Sequence, residues 1–156
     1  MTKLTITTKS ADETSRLGAQ LATVLTGEDV LELVGDLGAG KTQLVRGLAS
    51  GVNSKDQVQS PSFMLQRIYE GRPYNIHHYD FYRLDQPGVI AMELAESLAA
   101  GDSLVAVEWA QSVSDILPER TITIEIEPSG ENERQITLSN IRPEIRKALD
   151  DFDYKD

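Results

Sequence analysis

Val30-Leu31-Glu32-Leu33-Val34-Gly35-Asp36-Leu37-Gly38-Ala39-Gly40-Lys41-Thr42 runs from a short, mostly apolar segment into a glycine-rich stretch, and Leu44, Val45, Leu48 and Val52 then recur at helical spacing. The order is strand, glycine loop, helix. Residues 35–42 match G-x-x-x-x-G-K-[ST], the phosphate-binding P-loop. Glycines let the backbone curl until successive N–H groups converge on one concavity, and the helix that follows adds its positive end. In such a loop Lys41 supplies a point charge to the β and γ phosphates, and the Thr42 hydroxyl takes one position on Mg²⁺. At average residue frequencies the four fixed positions coincide by chance in roughly 0.5% of chains this long.

Outward from the loop, strands and helices alternate. Residues 4–8 read as a strand, and Ser10-Ala11-Asp12-Glu13 fits a capping box that opens a helix with Leu17, Leu21, Val24 and Leu25 on one face and Thr26-Gly27 at its end. After a polar loop at 53–61, residues 63–69 and 74–79 read as two strands joined by a turn at Glu70-Gly71-Arg72-Pro73. Pro87 suits a first helical turn, and Ile90, Leu94 and Leu98 carry that helix to about residue 100. Residues 104–107 are an unbroken apolar run, the form of a strand buried on both faces. A short helix at 110–116, strands at 121–127 and 135–138 and a helix at 143–149 follow, and residues 150–156 form an acidic tail expected to fray. This pattern predicts one domain over residues 1–149, an α/β, three-layer P-loop NTPase fold with a largely parallel central sheet plus antiparallel strands.

The composition narrows the function. Among 156 residues, 15 Lys and Arg face 25 Asp and Glu, a net charge of −10, which disfavours a protein that grips phosphate backbones with its own positive field. The absence of cysteine excludes disulfides, thiolate nucleophiles and Cys-ligated metals. Neither a signal peptide nor a membrane span is evident, so a soluble, cytoplasmic domain is expected.

A P-loop needs a carboxylate to position its metal or water, and two stand at the ends of apolar strands. Glu108 closes Leu104-Val105-Ala106-Val107 in the Walker-B arrangement; it is either a metal-positioning acid or a solvated cap on the next helix. Asp80 shares a strand face with His78 and orients or holds the attacking water, binds metal through an intervening water, or simply forms a turn. His77 and His78 are too few for a metal cluster, and neither is given a proton-transfer role. Trp109 is core packing or a site-edge aromatic, and Arg83 pairs near the site or on the surface. Ser60-Pro61-Ser62-Phe63 lies where switch segments of P-loop proteins lie, and it equally fits a proline turn.

The loop Gly35-Asp36-Leu37-Gly38-Ala39-Gly40-Lys41-Thr42, the Ser60-Pro61-Ser62-Phe63 segment, the stretch with His78, Asp80, Tyr82 and Arg83, and the pair Glu108-Trp109, in this order, resemble the bacterial TsaE family from about residue 10 to 134. That family consists of small P-loop ATPases of tRNA threonylcarbamoyladenosine biosynthesis, and its SPTF segment reads SPSF here. The resemblance implies binding and slow hydrolysis of ATP, association with TsaD- and TsaB-type subunits and indirect involvement of tRNA; the alternatives are a nucleotide-gated binding module whose hydrolysis is incidental and a small-molecule kinase, for which the sequence shows no arginine-bearing lid insertion. It further implies that Thr42 and Glu108 ligate Mg²⁺, that Lys41 contacts phosphates, that Asp80 is needed for turnover and that Trp109 lies close by. Ser10, Ala11 and Arg134 would border the adenine.

Overall fold

The structure, a computed structural model, describes residues 2–36, 38–58, 66–82 and 88–152. It is a mixed α/β fold. The seven strands are β1 (Thr2–Thr8), β2 (Val30–Val34), β3 (Gln66–Tyr69), β4 (Asn75–Asp80), β5 (Ser103–Glu108), β6 (Ile122–Pro128) and β7 (Arg134–Ile141). The four helices are α1 (Ala11–Ala22), α2 (Lys41–Gly51), α3 (Gly88–Ala100) and α4 (Pro143–Leu149). One sheet takes the order β1-β7-β6-β2-β5-β4-β3. Its centre, β4, β5, β2 and β6, is parallel, while β3, β7 and β1 each run antiparallel to their neighbour.

Alternation along the strands sends side chains to two apolar clusters. Leu31, Leu33, Leu104, Ala106, Ile122, Ile124 and Ile126 face one way and pack with Leu17 and Leu21 of α1, Leu44 and Leu48 of α2, and Ile145 and Leu149 of α4. Val30, Tyr79, Val105 and Val107 face the other way and pack with Leu94 of α3 and with Ala110 and Val113. Every residue of β5 is buried, as its unbroken apolar run predicts. The α1 and α2 backbones touch at glycine: a Cβ on Gly47 would collide with the Ser15 carbonyl oxygen, and one on Gly18 with the Leu44 carbonyl oxygen. Two helices that close together hold the start of α2 firmly against the sheet.

Several boundaries differ from expectation for local physical reasons. Helix α1 stops at Ala22 rather than near Thr26-Gly27, because the Thr23 amide and hydroxyl both turn back to the Gln20 carbonyl, at 3.2 and 2.6 Å. Ser10 caps it by accepting from the Glu13 amide at 3.1 Å, which is half of the expected reciprocal box. Strands β1 and β7 are longer than expected because their outward residues are polar and still pair; Thr5 and Thr137 hydroxyl oxygens lie 3.2 Å apart. The expected helix at 110–116 is a single 3-10 turn, Ala110–Val113. The acidic end is anchored at its start: Phe152 is buried in the larger cluster, with the Arg16 guanidinium 5.0 Å from its ring centroid. Among the described residues no helix is long and apolar enough to cross a membrane.

Candidate functional site

Strand β2 delivers Gly35, and the chain turns back through two residues that require glycine. Gly38 has φ 79° and Gly40, the residue capping α2, has φ 111°, both in the left-handed region. Gly35 passes so close to β6 that a Cβ there would sit 2.7 Å from the Ile126 carbonyl oxygen. Ala39 is buried, and its amide donates to the Asp36 carbonyl at 3.0 Å while Asp36 itself is exposed. Leu37 lies outside the described residues. Lys41 and Thr42 therefore open α2, whose first amides have no acceptor within the helix itself and whose positive end faces the loop.

The lysine does not point into solvent. Lys41 Nζ donates to the Gly35 carbonyl at 2.7 Å, lies 3.6 Å from Glu108 Oε1 and stands 4.3 Å from the Trp109 ring centroid. Glu108 and Asp80 end adjacent parallel strands as direct register partners, and both are buried. Period-2 geometry puts His78, Asp80 and Glu108 on the face that carries α2. Asp80 Oδ1 accepts from the Tyr82 amide at 2.9 Å, so this carboxylate both closes a turn and borders the site. Trp109 adopts φ 54° and ψ 55°, a strained conformation for a bulky residue, and in it the indole lies beside Lys41 and 4.8 Å from the Tyr82 ring.

Arg134 reaches the same loop from β7. Its Nε donates to the Ala39 carbonyl at 3.0 Å, and its strand partner in β1 is Thr8, three residues before Ala11. Ala11 itself is exposed at the start of α1. Gly35, Gly40, Lys41, Glu108, Asp80, Trp109 and Arg134 thus gather around one end of the parallel strands. Ser60, Pro61, Ser62, Phe63 and Arg83 lie outside the described residues.

Sequence reasoning left out Tyr69 and the role of His78. His78 is fully buried, with Nε2 2.5 Å from Glu108 Oε2 and Nδ1 3.2 Å from the Tyr69 hydroxyl. The available signal was that His78 shares a face with Asp80, the register partner of Glu108.

A separate cleft of about 360 Å³ runs along Gly35 and Asp36, lined by Glu32, Glu125, Glu127 and Trp109. Its glutamates project from the sheet face opposite Glu108, and so much negative charge makes it a poor receptor for phosphates. On that opposite face burial lowers the His77 pKa, partly offset by Asp102, and raises that of Tyr79.

Among the described residues no group of three or more His, Cys, Asp or Glu is placed to hold an ion unaided. Glu108, Asp80 and the Thr42 hydroxyl are hard oxygen donors, the set suited to a Mg²⁺ that shares its shell with phosphate oxygens and water.

Comparison with known proteins places the whole chain. A family profile described as "Threonylcarbamoyl adenosine biosynthesis protein TsaE" matches residues 8–136. The tRNA threonylcarbamoyladenosine biosynthesis protein TsaE of Treponema pallidum is 34% identical over 131 residues, covering 84% of this chain and 96% of that one. Its counterpart in Bacillus subtilis is 32% identical over 142 residues, covering 90% and 88%. The crystal structure of Bacillus subtilis YdiB superposes with a TM-score of 0.77 at 27% identity, over 98% of this chain and 95% of that one. The profile match spans most of the sequence and the relatives align along most of their own length: the chain belongs to the TsaE family.

Proposed function

We propose that this chain is a cytoplasmic, Mg²⁺-dependent ATPase of low activity, built on a three-layer P-loop NTPase fold, that serves threonylcarbamoylation of the anticodon-adjacent adenosine in tRNAs reading A-starting codons. The observation that carries the reading is the convergence of Lys41, at the head of α2 behind a left-handed Gly40, with two buried carboxylates that end neighbouring parallel strands. A ligand approaching the loop meets converging amides and a lysine whose present partners, a carbonyl and a carboxylate, it can replace with phosphate oxygens.

In this reading Thr42 and Glu108 hold Mg²⁺, which when bound neutralises charge on the β and γ phosphates. Lys41 leaves the Gly35 carbonyl for those phosphates, and Trp109 shields the lysine from water. Asp80 orients a water whose oxygen bonds to the γ-phosphorus as the bond to the β–γ bridging oxygen breaks, leaving ADP, phosphate and a released proton. Arg134 braces the loop through the Ala39 carbonyl and, with the β1–α1 junction around Ala11, borders the nucleoside side. The transfer chemistry lies with TsaD- and TsaB-type subunits. A net charge of −10 suits docking on protein partners better than gripping tRNA.

A second reading, a nucleotide-gated binding module whose hydrolysis is incidental, draws support from Asp80, whose Oδ1 already closes the turn to Tyr82. Reconstituted tRNA modification separates the two. With TsaD- and TsaB-type subunits and ATP, modification should depend on this chain and fail with Lys41→Ala; equal modification without the chain would sink the proposal. Asp80→Ala should abolish hydrolysis and modification together. Modification that survives the loss of hydrolysis would select the gated module.

A further inference from the structure

Glu108 has two carboxylate oxygens, and the structure gives them different neighbours. Oε2 lies 2.5 Å from His78 Nε2, while Oε1 lies 3.6 Å from Lys41 Nζ on the side of the phosphate loop. His78 is fully buried, and its second nitrogen, Nδ1, is 3.2 Å from the Tyr69 hydroxyl. An ionised carboxylate can only accept, so His78 Nε2–H donates to it; on a neutral ring Nδ1 then accepts from the Tyr69 O–H. Three residues from three neighbouring strands, β3, β4 and β5, thus form one directed chain that ends at Oε2. A carboxylate held by one oxygen cannot rotate freely about its last torsion. Its other oxygen is then presented in a single direction.

We propose that His78 is a positioning residue: it anchors Glu108 through Oε2 so that Oε1 alone is offered to the ion at the nucleotide site, and Tyr69 sets the orientation of the ring. This rests on the reading above that Glu108 holds Mg²⁺. Groups that hydrogen-bond a metal ligand fix its geometry and tune its basicity, and their loss typically costs about 10- to 100-fold in metal affinity. Any buried histidine needs partners for both ring nitrogens, and here one of the two is the candidate ion ligand itself.

The test uses the whole chain as wild type, Glu108→Gln, His78→Asn, His78→Gln and Tyr69→Phe, each checked for folding by thermal unfolding. Two quantities are read: affinity for a fluorescent ADP analogue in EDTA, and Mn²⁺ affinity of the nucleotide complex by electron paramagnetic resonance. His78→Asn, whose shorter amide does not reach Glu108, should weaken Mn²⁺ binding about 10- to 100-fold with ion-free nucleotide affinity unchanged. His78→Gln, which restores a donor near the Nε2 position, should recover most of that loss, and Tyr69→Phe should lose less than His78→Asn. Wild-type Mn²⁺ affinity in a folded His78→Asn protein, or a parallel loss of ion-free nucleotide binding, overturns the proposal. If His78→Asn does not fold, Tyr69→Phe decides: unchanged Mn²⁺ affinity overturns the proposal and a loss supports it. The underlying reading fails separately, since Mn²⁺ affinity undiminished by Glu108→Gln would remove Glu108 from the ion site and the proposal with it.

Discussion

His77 and His78 are consecutive residues of β4, yet His77 bonds Ser97 of α3 at 2.8 Å and His78 bonds Glu108, the neighbour of Lys41, at 2.5 Å. The contrast extends to the two faces of the sheet. On the α3 side the buried cluster is apolar, made by residues such as Val105, Val107, Phe81 and Leu94, with Tyr79 tied to Ser97 at 2.7 Å. On the α2 side Lys41, His78, Asp80 and Glu108 are all buried, at one end of an otherwise apolar cluster. Burying several ionisable groups together is costly unless they satisfy one another, so a fold keeps such a group mainly where chemistry needs it. One face is scaffold and the other carries the candidate site.

Removing scaffold should therefore change stability and spare binding. Leu94→Ala deletes a fully buried side chain from the α3 cluster and should cost about 3 kcal/mol of folding stability by urea titration. Nucleotide affinity of the folded fraction should stay at the wild-type value. A large affinity loss in that fraction would mean that the two faces are coupled and that the division is wrong.

Glu108→Gln tests the other face and should do the reverse. The amide keeps an oxygen to accept from His78 but loses the charge opposite Lys41, the charge that the proposed function assigns to holding Mg²⁺. Turnover should fall about 100-fold, close to 2.7 kcal/mol on the barrier, with a much smaller change in nucleotide affinity. Greater loss of binding than of turnover would move the metal role to Asp80.

The same division explains what the sequence could convey. The loop from Gly35 to Thr42 was legible because its demands are local: two left-handed glycines, one close approach to β6, and a helix starting at Lys41. Glu108 and Asp80 were legible as acids closing strand runs. Their meeting was not, because it depends on β4 lying beside β5, with α3 between them in the chain. The contact of Arg134 with the Ala39 carbonyl spans 95 positions, and no periodicity reports a contact of that range. Trp109 was undecidable for a similar reason: its left-handed backbone directs the ring towards Lys41, and nothing in its neighbours' identity announces that turn. Helix α1 ended early through a threonine bond to the preceding turn, a choice that propensity leaves open.

The smallest expected effect separates the two histidines by pH. Burial holds the folded-state pKa of His77 below its ordinary value of 6.5, and Asp102 opposes the shift, so the net effect is modest. Below pH 6.5 the unfolded chain takes up this proton more readily than the folded one, so stability falls as the pH drops from there through the folded-state pKa; above pH 6.5 the contribution is complete. His77→Asn, whose amide falls near the Nδ1 position and can still bond Ser97, should flatten that part of the stability profile while nucleotide affinity at neutral pH stays at the wild-type value. Urea titrations at pH 7.5, 6.5 and 5.5 on both proteins would read the difference, with His78 and every carboxylate common to the two. Parallel profiles would show that His77 titrates as it does in the unfolded chain, and a fall in nucleotide affinity would show that a side chain on the scaffold face reaches the site after all.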